Sequence, residues 1–140
     1  MTLIISVFPS QTDTLGRKTV EMETGSGYST IIFALKGTRH TVISPSAHEH
    51  MLIRDWSAAH DVDLSKVTFV AERSESVLPM LNGDKLDLVL IDGWHAFPVP
   101  MIDWLYTSRW LTTGGRVVVD DTRIRSCRIL CDFLRAERGR

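Results

Sequence analysis

Glu23-Thr24-Gly25-Ser26-Gly27-Tyr28-Ser29-Thr30 is the stretch that decides how the rest of this chain reads. The run Thr19–Glu23 leading into it is strand-like, and Ile31–Lys36 behind it spaces its apolar residues as a helix does. A strand that passes into a helix through Gly25 and Gly27 makes a tight βα turn, where the backbone comes close to a ligand with no Cβ in the way. The free N–H groups at the start of the next helix favour anionic or polar ligand groups. Any tight βα turn favours glycine, so the turn alone leaves a purely structural role open.

Working outward, the same alternation repeats. Strand-like runs stand at His40–Ser44, Val67–Glu72, Leu86–Asp92 and Gly115–Asp120. Gly37 fits a helix stop after Lys36. Ser46-Ala47-His48-Glu49 reads as a capping box, with Ser46 at the N-cap, Glu49 reaching back, and Met51, Leu52, Asp55, Trp56 and Ala59 as the inward stripe. Pro100 suits the first turn of a helix that carries Met101, Trp104, Leu105 and Leu111 inward and ends at Gly114-Gly115. Ile124, Cys127, Cys131 and Leu134 share one face of a last helix. Leu88–Ile91 and Val117–Val119 are continuously apolar, as strands covered on both faces are. The pattern predicts an α/β fold: a Rossmann-like three-layer sandwich on a mostly parallel sheet of about five strands. Ligands of such sheets bind at the carboxyl ends of the strands, where strand order reverses.

With 140 residues the chain reads as a single domain over 1–140. A net charge of −1 offers no argument for a nucleic-acid or membrane-surface partner. Leu3–Phe8 is apolar but far short of the roughly 20 residues of a membrane span, and it lacks the flanks of a secretory signal. The expectation is a soluble, cytoplasmic protein. Arg135, Arg138 and Arg140 read as a solvated helix end, and His48 and His50 as a solvated helix face. Trp56, Trp104 and Trp110 read as core or core-edge residues, while Trp94 falls in a candidate site loop. Cys127 and Cys131, without a second pair or a nearby histidine, read as reduced, partly buried thiols.

The strand ends carry the chemistry. Ser74 follows the third strand and either caps the next helix or lines a pocket. Asp92 closes the fourth strand, and His95 lies three residues on, placed to act as a base near neutral pH. Asp120 and Asp121 close the fifth. Adjacent carboxylates repel, so with Asp92 they offer three hard oxygen ligands suited to Mg²⁺ or Ca²⁺. The alternative is that the pair caps the last helix, with Arg123 and Arg125 as ion-pair partners.

Taken together, these segments resemble the class I S-adenosylmethionine (SAM)-dependent methyltransferases. Glu23-x-Gly25-x-Gly27-x-Ser29 is similar to their first motif, and Ser74-Glu75-x-Val77-Leu78-Pro79, Ile91-Asp92-Gly93-x-His95 and Gly114-Gly115 before Asp120-Asp121 follow in the family's order, over about residues 18–135. The nearest likeness is to a bacterial branch carrying the Glu-Thr-Gly-x-Gly-x-Ser-Thr loop. The resemblance implies a methyltransferase (EC 2.1.1.-) acting on a hydroxyl of a small molecule. It implies that Glu23, Thr24, Gly25, Gly27 and Ser29 form the loop at the methionine end of SAM. Ser74 would lie towards the adenine, and Asp92 beside the transferred methyl group. In Mg²⁺-dependent O-methyltransferases, which this chain also resembles, residues at the positions of Asp92, Asp120 and Asp121 hold the metal, and one at the position of His95 takes the acceptor's proton.

The chain departs from that pattern in three places. Ser44 stands where an acidic residue commonly binds the ribose, the usual sixth and seventh strands have no sequence, and there is almost no N-terminal helical extension. With those strands lacking, Val117–Val119 would lie near an open edge, which predicts either a homodimer or a compact remnant or fragment of a larger enzyme. Two other readings stand beside the methyltransferase: a non-catalytic domain of the same fold that binds SAM or a protein partner, and an NAD-dependent oxidoreductase. The second of these wants a fuller glycine loop and an acid at the second strand's end.

Overall fold

The computed structural model describes residues 2–6 and 19–137. Strands β1 (Leu3–Ser6), β2 (Val20–Thr24), β3 (Arg39–Ile43), β4 (Val67–Val70), β5 (Leu86–Ile91) and β6 (Leu111–Val119) make one sheet in the order β1-β6-β5-β2-β3-β4. Helices α1 (Tyr28–Leu35), α2 (Ala47–Ala59), α3 (Ser74–Val77), α4 (Val99–Thr107) and α5 (Arg125–Glu137) connect the strands, with a 3₁₀ turn at Leu78–Met80. Strands β2 to β6 are parallel, the five that the alternation predicts. The chain builds outward from β2 to β4, then crosses back to place β5 on the other side of β2. Strand order therefore reverses between β2 and β5, where Thr24 and Ile91 are register partners.

The sixth strand was not expected. β1 runs antiparallel along β6, from Leu3 opposite Val119 to Ser6 opposite Arg116. Part of the apolar Leu3–Phe8 run thus covers the flank of Val117–Val119 from within the chain, while Val7 and Phe8 lie outside the described residues, as do Arg138 and Arg140. The open edge that suggested a homodimer already has a partner here.

One face of the sheet packs Met22, Val89, Ile91, Val117 and Val119 against Cys127, Leu130, Cys131 and Leu134 of α5. Fully burying a valine or leucine of this kind stabilises a fold by about 1.5–3 kcal/mol. Both cysteines are free and buried, and burial pushes the Cys127 thiol up to about 11. Ile124 precedes α5 and stays exposed, so the inward face is completed by Leu130 instead.

Two helices turn other faces inward than their apolar residues suggested. In α2 the buried positions are His50, Ile53 and Ser57, while Met51, Leu52 and Trp56 are exposed. The His50 ring packs on Phe69 of β4, and burial with nearby Arg54 lowers its pKa, so the expectation of a solvated His50 is corrected. In α4 Leu105 is exposed and Asp103 is buried. That helix ends at Thr107, and Gly114 and Gly115 belong to β6 rather than to a helix stop. A Cβ on Gly115 would stand 2.8 Å from Cγ of Leu111, so close packing within the strand explains that glycine. Among the described residues no helix is long and apolar enough to cross a membrane.

Candidate active site

Because β2 and β5 are adjacent and parallel, the loops that leave their carboxyl ends must meet. Asp92 N–H donates to Thr24 O at 2.9 Å, and Gly25 N–H donates to Ile43 O at 2.8 Å, tying three strand ends together. Gly25 has φ 107°, and a Cβ there would lie 2.3 Å from the Asp92 carbonyl oxygen. Only glycine satisfies both the conformation and the contact. The loops enclose a cleft of about 410 Å³ whose lining includes Gly25, Ser44, Glu49, Ser74, Asp92 and Trp94.

The residues expected at this site divide into two sets. Gly25, Ser44, Ser74 and Asp92 line the cleft. Glu23, Thr24, Gly27 and Ser29 do not. Glu23 is fully buried behind the loop, where its carboxylate accepts from the hydroxyls of Ser29 and Thr30 and from His40. It holds the loop in shape rather than facing a ligand. Gly27 is the N-cap of α1, its N–H donating to the Thr30 hydroxyl at 3.3 Å. Ser74 is the first residue of α3, so it is wall rather than cap.

Glu49 is the residue that sequence reasoning undervalued. Its N–H donates to the Ser46 hydroxyl, which is half of the expected capping box. The reciprocal half is not made: the Glu49 carboxylate turns into the cleft and accepts from Ser26 at 2.6 Å and Ser44 at 3.3 Å. A carboxylate one helical turn past the end of β3 thereby stands in reach of the place where Ser44 was the departure. The signal was the N3 position itself, which points back over the strand end.

On the other side of Asp92 lies the titratable group. His95 Nε2 is 3.6 Å from Asp92 Oδ1, and Nδ1 is 3.9 Å from Asp121 Oδ2. The Ser126 hydroxyl of α5 donates to the His95 carbonyl and fastens that loop to the last helix. Asp121 takes a left-handed conformation, φ 48°, as the chain leaves β6, and its carbonyl accepts from Ile124 N–H. Burial, then the like charge of Asp120, pushes the Asp92 carboxyl up to about 6, with His95 opposing the rise. The Thr2 hydroxyl donates to Asp120 at 2.6 Å and holds its pKa down.

The expected metal ligands are Asp92, Asp120 and Asp121. Among the described residues no three His, Cys, Asp or Glu side chains are grouped to hold a metal ion. The His95 ring stands beside both Asp92 and Asp121, and the Thr2 hydroxyl is bonded to Asp120.

Asp103 was missed altogether. It is 1% exposed, and its hydroxyl neighbours Ser74 and Thr24 favour the charged form without closing a full hydrogen bond. Burial dominates and pushes it up to about 6. The signal was present: Val99, Asp103 and Thr107 recur every four residues on the buried face of α4. At the cleft rim the Arg73 guanidinium lies over the Trp94 ring, 4.6 Å from its centroid.

Comparison with known proteins gives a family and a fold. A family described as a methyltransferase domain matches residues 22–122. No curated protein matches the chain. Among solved structures, a Staphylococcus aureus protein described as a caffeoyl-CoA O-methyltransferase superposes with a TM-score of 0.61 at 17% identity, covering 86% of this chain and 63% of that one. A Corynebacterium glutamicum protein gives 0.61 at 16% identity, covering 94% and 67%. Coclaurine N-methyltransferase, bound to N-methylheliamine and S-adenosylhomocysteine, gives 0.55 at 15% identity, covering 71% and 30%. At these identities the likeness is one of fold. The chain spans less than two thirds of the length of the first of these structures and under a third of the last.

Proposed function

Because the chain belongs to the methyltransferase domain family, we propose that it transfers a methyl group from SAM to a hydroxyl of a small molecule. The observation that carries this is the cleft at the reversal of strand order, with glycine backbone on one wall and Glu49, Ser74 and Asp92 on the others. Gly25 lines that cleft, and its φ of 107° with the Asp92 carbonyl packed against it keeps the position a glycine. A cofactor with a cationic centre, a ribose diol and an adenine finds a counterpart for each. Asp92 supplies negative charge, Glu49 a carboxylate acceptor for the diol, and Ser74 a wall towards the base.

SAM, when bound, supplies an electrophilic methyl group on a good leaving group. What remains for the protein is to position the acceptor and remove its proton. His95 is the group we assign to the proton. Its imidazole is flanked by the Asp92 and Asp121 carboxylates, which stabilise the imidazolium formed when the proton arrives. Among the described residues no three His, Cys, Asp or Glu side chains are grouped to hold a metal ion, and no step is assigned to one.

Calorimetric titration of the purified chain with S-adenosylhomocysteine, with NAD as control, tests the cofactor. Saturable binding of the first alone is the expected result, and a folded chain that binds neither overturns the proposal. Transfer of labelled methyl from SAM to a panel of hydroxyl compounds then tests catalysis. Binding without any transfer would leave the non-catalytic reading in its place.

A further inference from the structure

Behind the cofactor loop lies a histidine that the proposed chemistry does not use. His40, on β3, is almost fully buried, with its ring stacked on Phe33 of α1 at 4.5 Å between centroids. Its Nε2 is 3.0 Å from Glu23 Oε2, and its Nδ1 is 4.0 Å from Glu21 Oε2. A carboxylate oxygen only accepts, so Nε2 carries the hydrogen and donates it. The same Glu23 oxygen accepts from the Thr30 hydroxyl at 2.9 Å, and the Thr30 oxygen accepts from Gly27 N–H at 3.3 Å. Glu23 Oε1 accepts from Ser29. Hydrogen bonds therefore run without a break from His40, through Glu23 and Thr30, to the backbone of the glycine loop.

We infer that His40 is a positioning residue for the cofactor loop, acting through Glu23 and Thr30 to hold the Gly25–Gly27 backbone in its binding shape. The inference rests on the cofactor assignment above. Its physical ground is that a buried carboxylate needs several donors at once to keep one orientation. Three side chains supply them here, and two of the three belong to the helix the loop opens into. Of the three donors, His40 is the one on the neighbouring strand β3, so it holds the Glu23 carboxylate from the sheet while Ser29 and Thr30 hold it from the helix. A histidine serving the core alone would need the contact with Phe33 but not the bond to Glu23.

Three substitutions separate these roles. His40→Phe keeps an aromatic ring against Phe33 and removes the donor. His40→Gln restores an N–H near the same place. Thr30→Val cuts the next link while leaving His40 untouched. His40→Phe is expected to weaken S-adenosylhomocysteine binding about tenfold, the scale of one buried hydrogen bond to a charged group. It should also speed exchange of the Gly27 amide, and leave kcat at saturating SAM within about twofold. His40→Gln should recover most of the affinity. Combined with Thr30→Val, His40→Phe should add less than its separate effect, because both act on one path. Unchanged affinity and unchanged Gly27 exchange in His40→Phe would overturn the inference, as would a His40→Gln chain as impaired as His40→Phe. If His40→Phe does not fold, Thr30→Val and His40→Gln decide by the same readouts. If the unaltered chain binds no S-adenosylhomocysteine, the cofactor assignment fails. Gly27 exchange then still tests the link from His40 to the loop.

Discussion

Replacing Asp103 with asparagine should make the protein more stable near neutral pH and leave it unchanged in acid. The carboxyl is buried beneath Ser74 and Thr24, and burial moves its pKa from the ordinary 3.8 to about 6. Each tenfold in proton affinity is worth about 1.4 kcal/mol, so keeping Asp103 ionised in that position costs the fold about 3 kcal/mol. Between 3.8 and about 6 the folded chain holds a proton that the unfolded chain has released. Stability therefore falls as pH rises through that window and is lowest above it. Asparagine has the same shape and no charge to desolvate, and its amide can pair with the neighbouring hydroxyls. At about pH 7.5 the Asp103→Asn chain should gain up to about 3 kcal/mol, or roughly 10 °C in Tm for a domain of this size. At about pH 4, where the native carboxyl is protonated, the two melts should nearly coincide. Thermal and urea denaturation of both chains at the two pH values measure this directly. An Asp103→Asn chain that is less stable near neutrality, or that differs equally at both pH values, would refute the reasoning. It would mean that the carboxylate is compensated where it sits.

Gly25→Ala places a Cβ 2.3 Å from the Asp92 carbonyl at a φ of 107°. The strand ends must separate, and the melt should fall by about 3 kcal/mol or more, with binding of S-adenosylhomocysteine lost; a normal melt and titration would show that the loops do not meet as described. Glu49→Gln should weaken that binding about tenfold with little change in Tm, because the carboxylate lies at the cleft and not in the core; equal affinity would remove Glu49 from the ribose assignment. His95→Gln should lower kcat by about 10²–10⁴-fold while leaving S-adenosylhomocysteine affinity near its original value, and an unaltered kcat would take the proton from His95.

The fold was legible because strand and helix periods alternate cleanly, and because Leu88–Ile91 and Val117–Val119 are too apolar for anything but a covered sheet. The strand ends followed from that, so position alone brought Gly25, Ser74 and Asp92 to one cleft and His95 beside Asp92. What escaped has a common physical cause. Sequence patterns rank residues by hydrophobicity, and α2 and α4 bury His50, Ser57 and Asp103 while exposing Met51, Leu52 and Leu105. A polar group on a buried face is legible only if a partner across the fold is known, and periodicity carries no such information. Glu23 shows the same limit in reverse: its motif position was recognised, but its side chain faces back to His40, Ser29 and Thr30 rather than the cleft. The strand β1 escaped because four residues set apart from the alternating pattern carry too little signal to be assigned a place.

The direction of β1 also settles where the described chain enters the sheet. Leu3 lies opposite Val119, so the backbone enters the sheet at the edge where the cleft opens, and Thr2 already touches Asp120. α5 also begins beside that edge, at Arg125 shortly after β6 ends, and runs 13 residues to Glu137. A fusion or affinity tag joined ahead of Thr2 would be delivered to the mouth of the site, among the groups that tune Asp92. One joined beyond Glu137 would start about 20 Å along α5 from that mouth. The choice of which end to tag is then a choice between crowding the chemistry and sparing it.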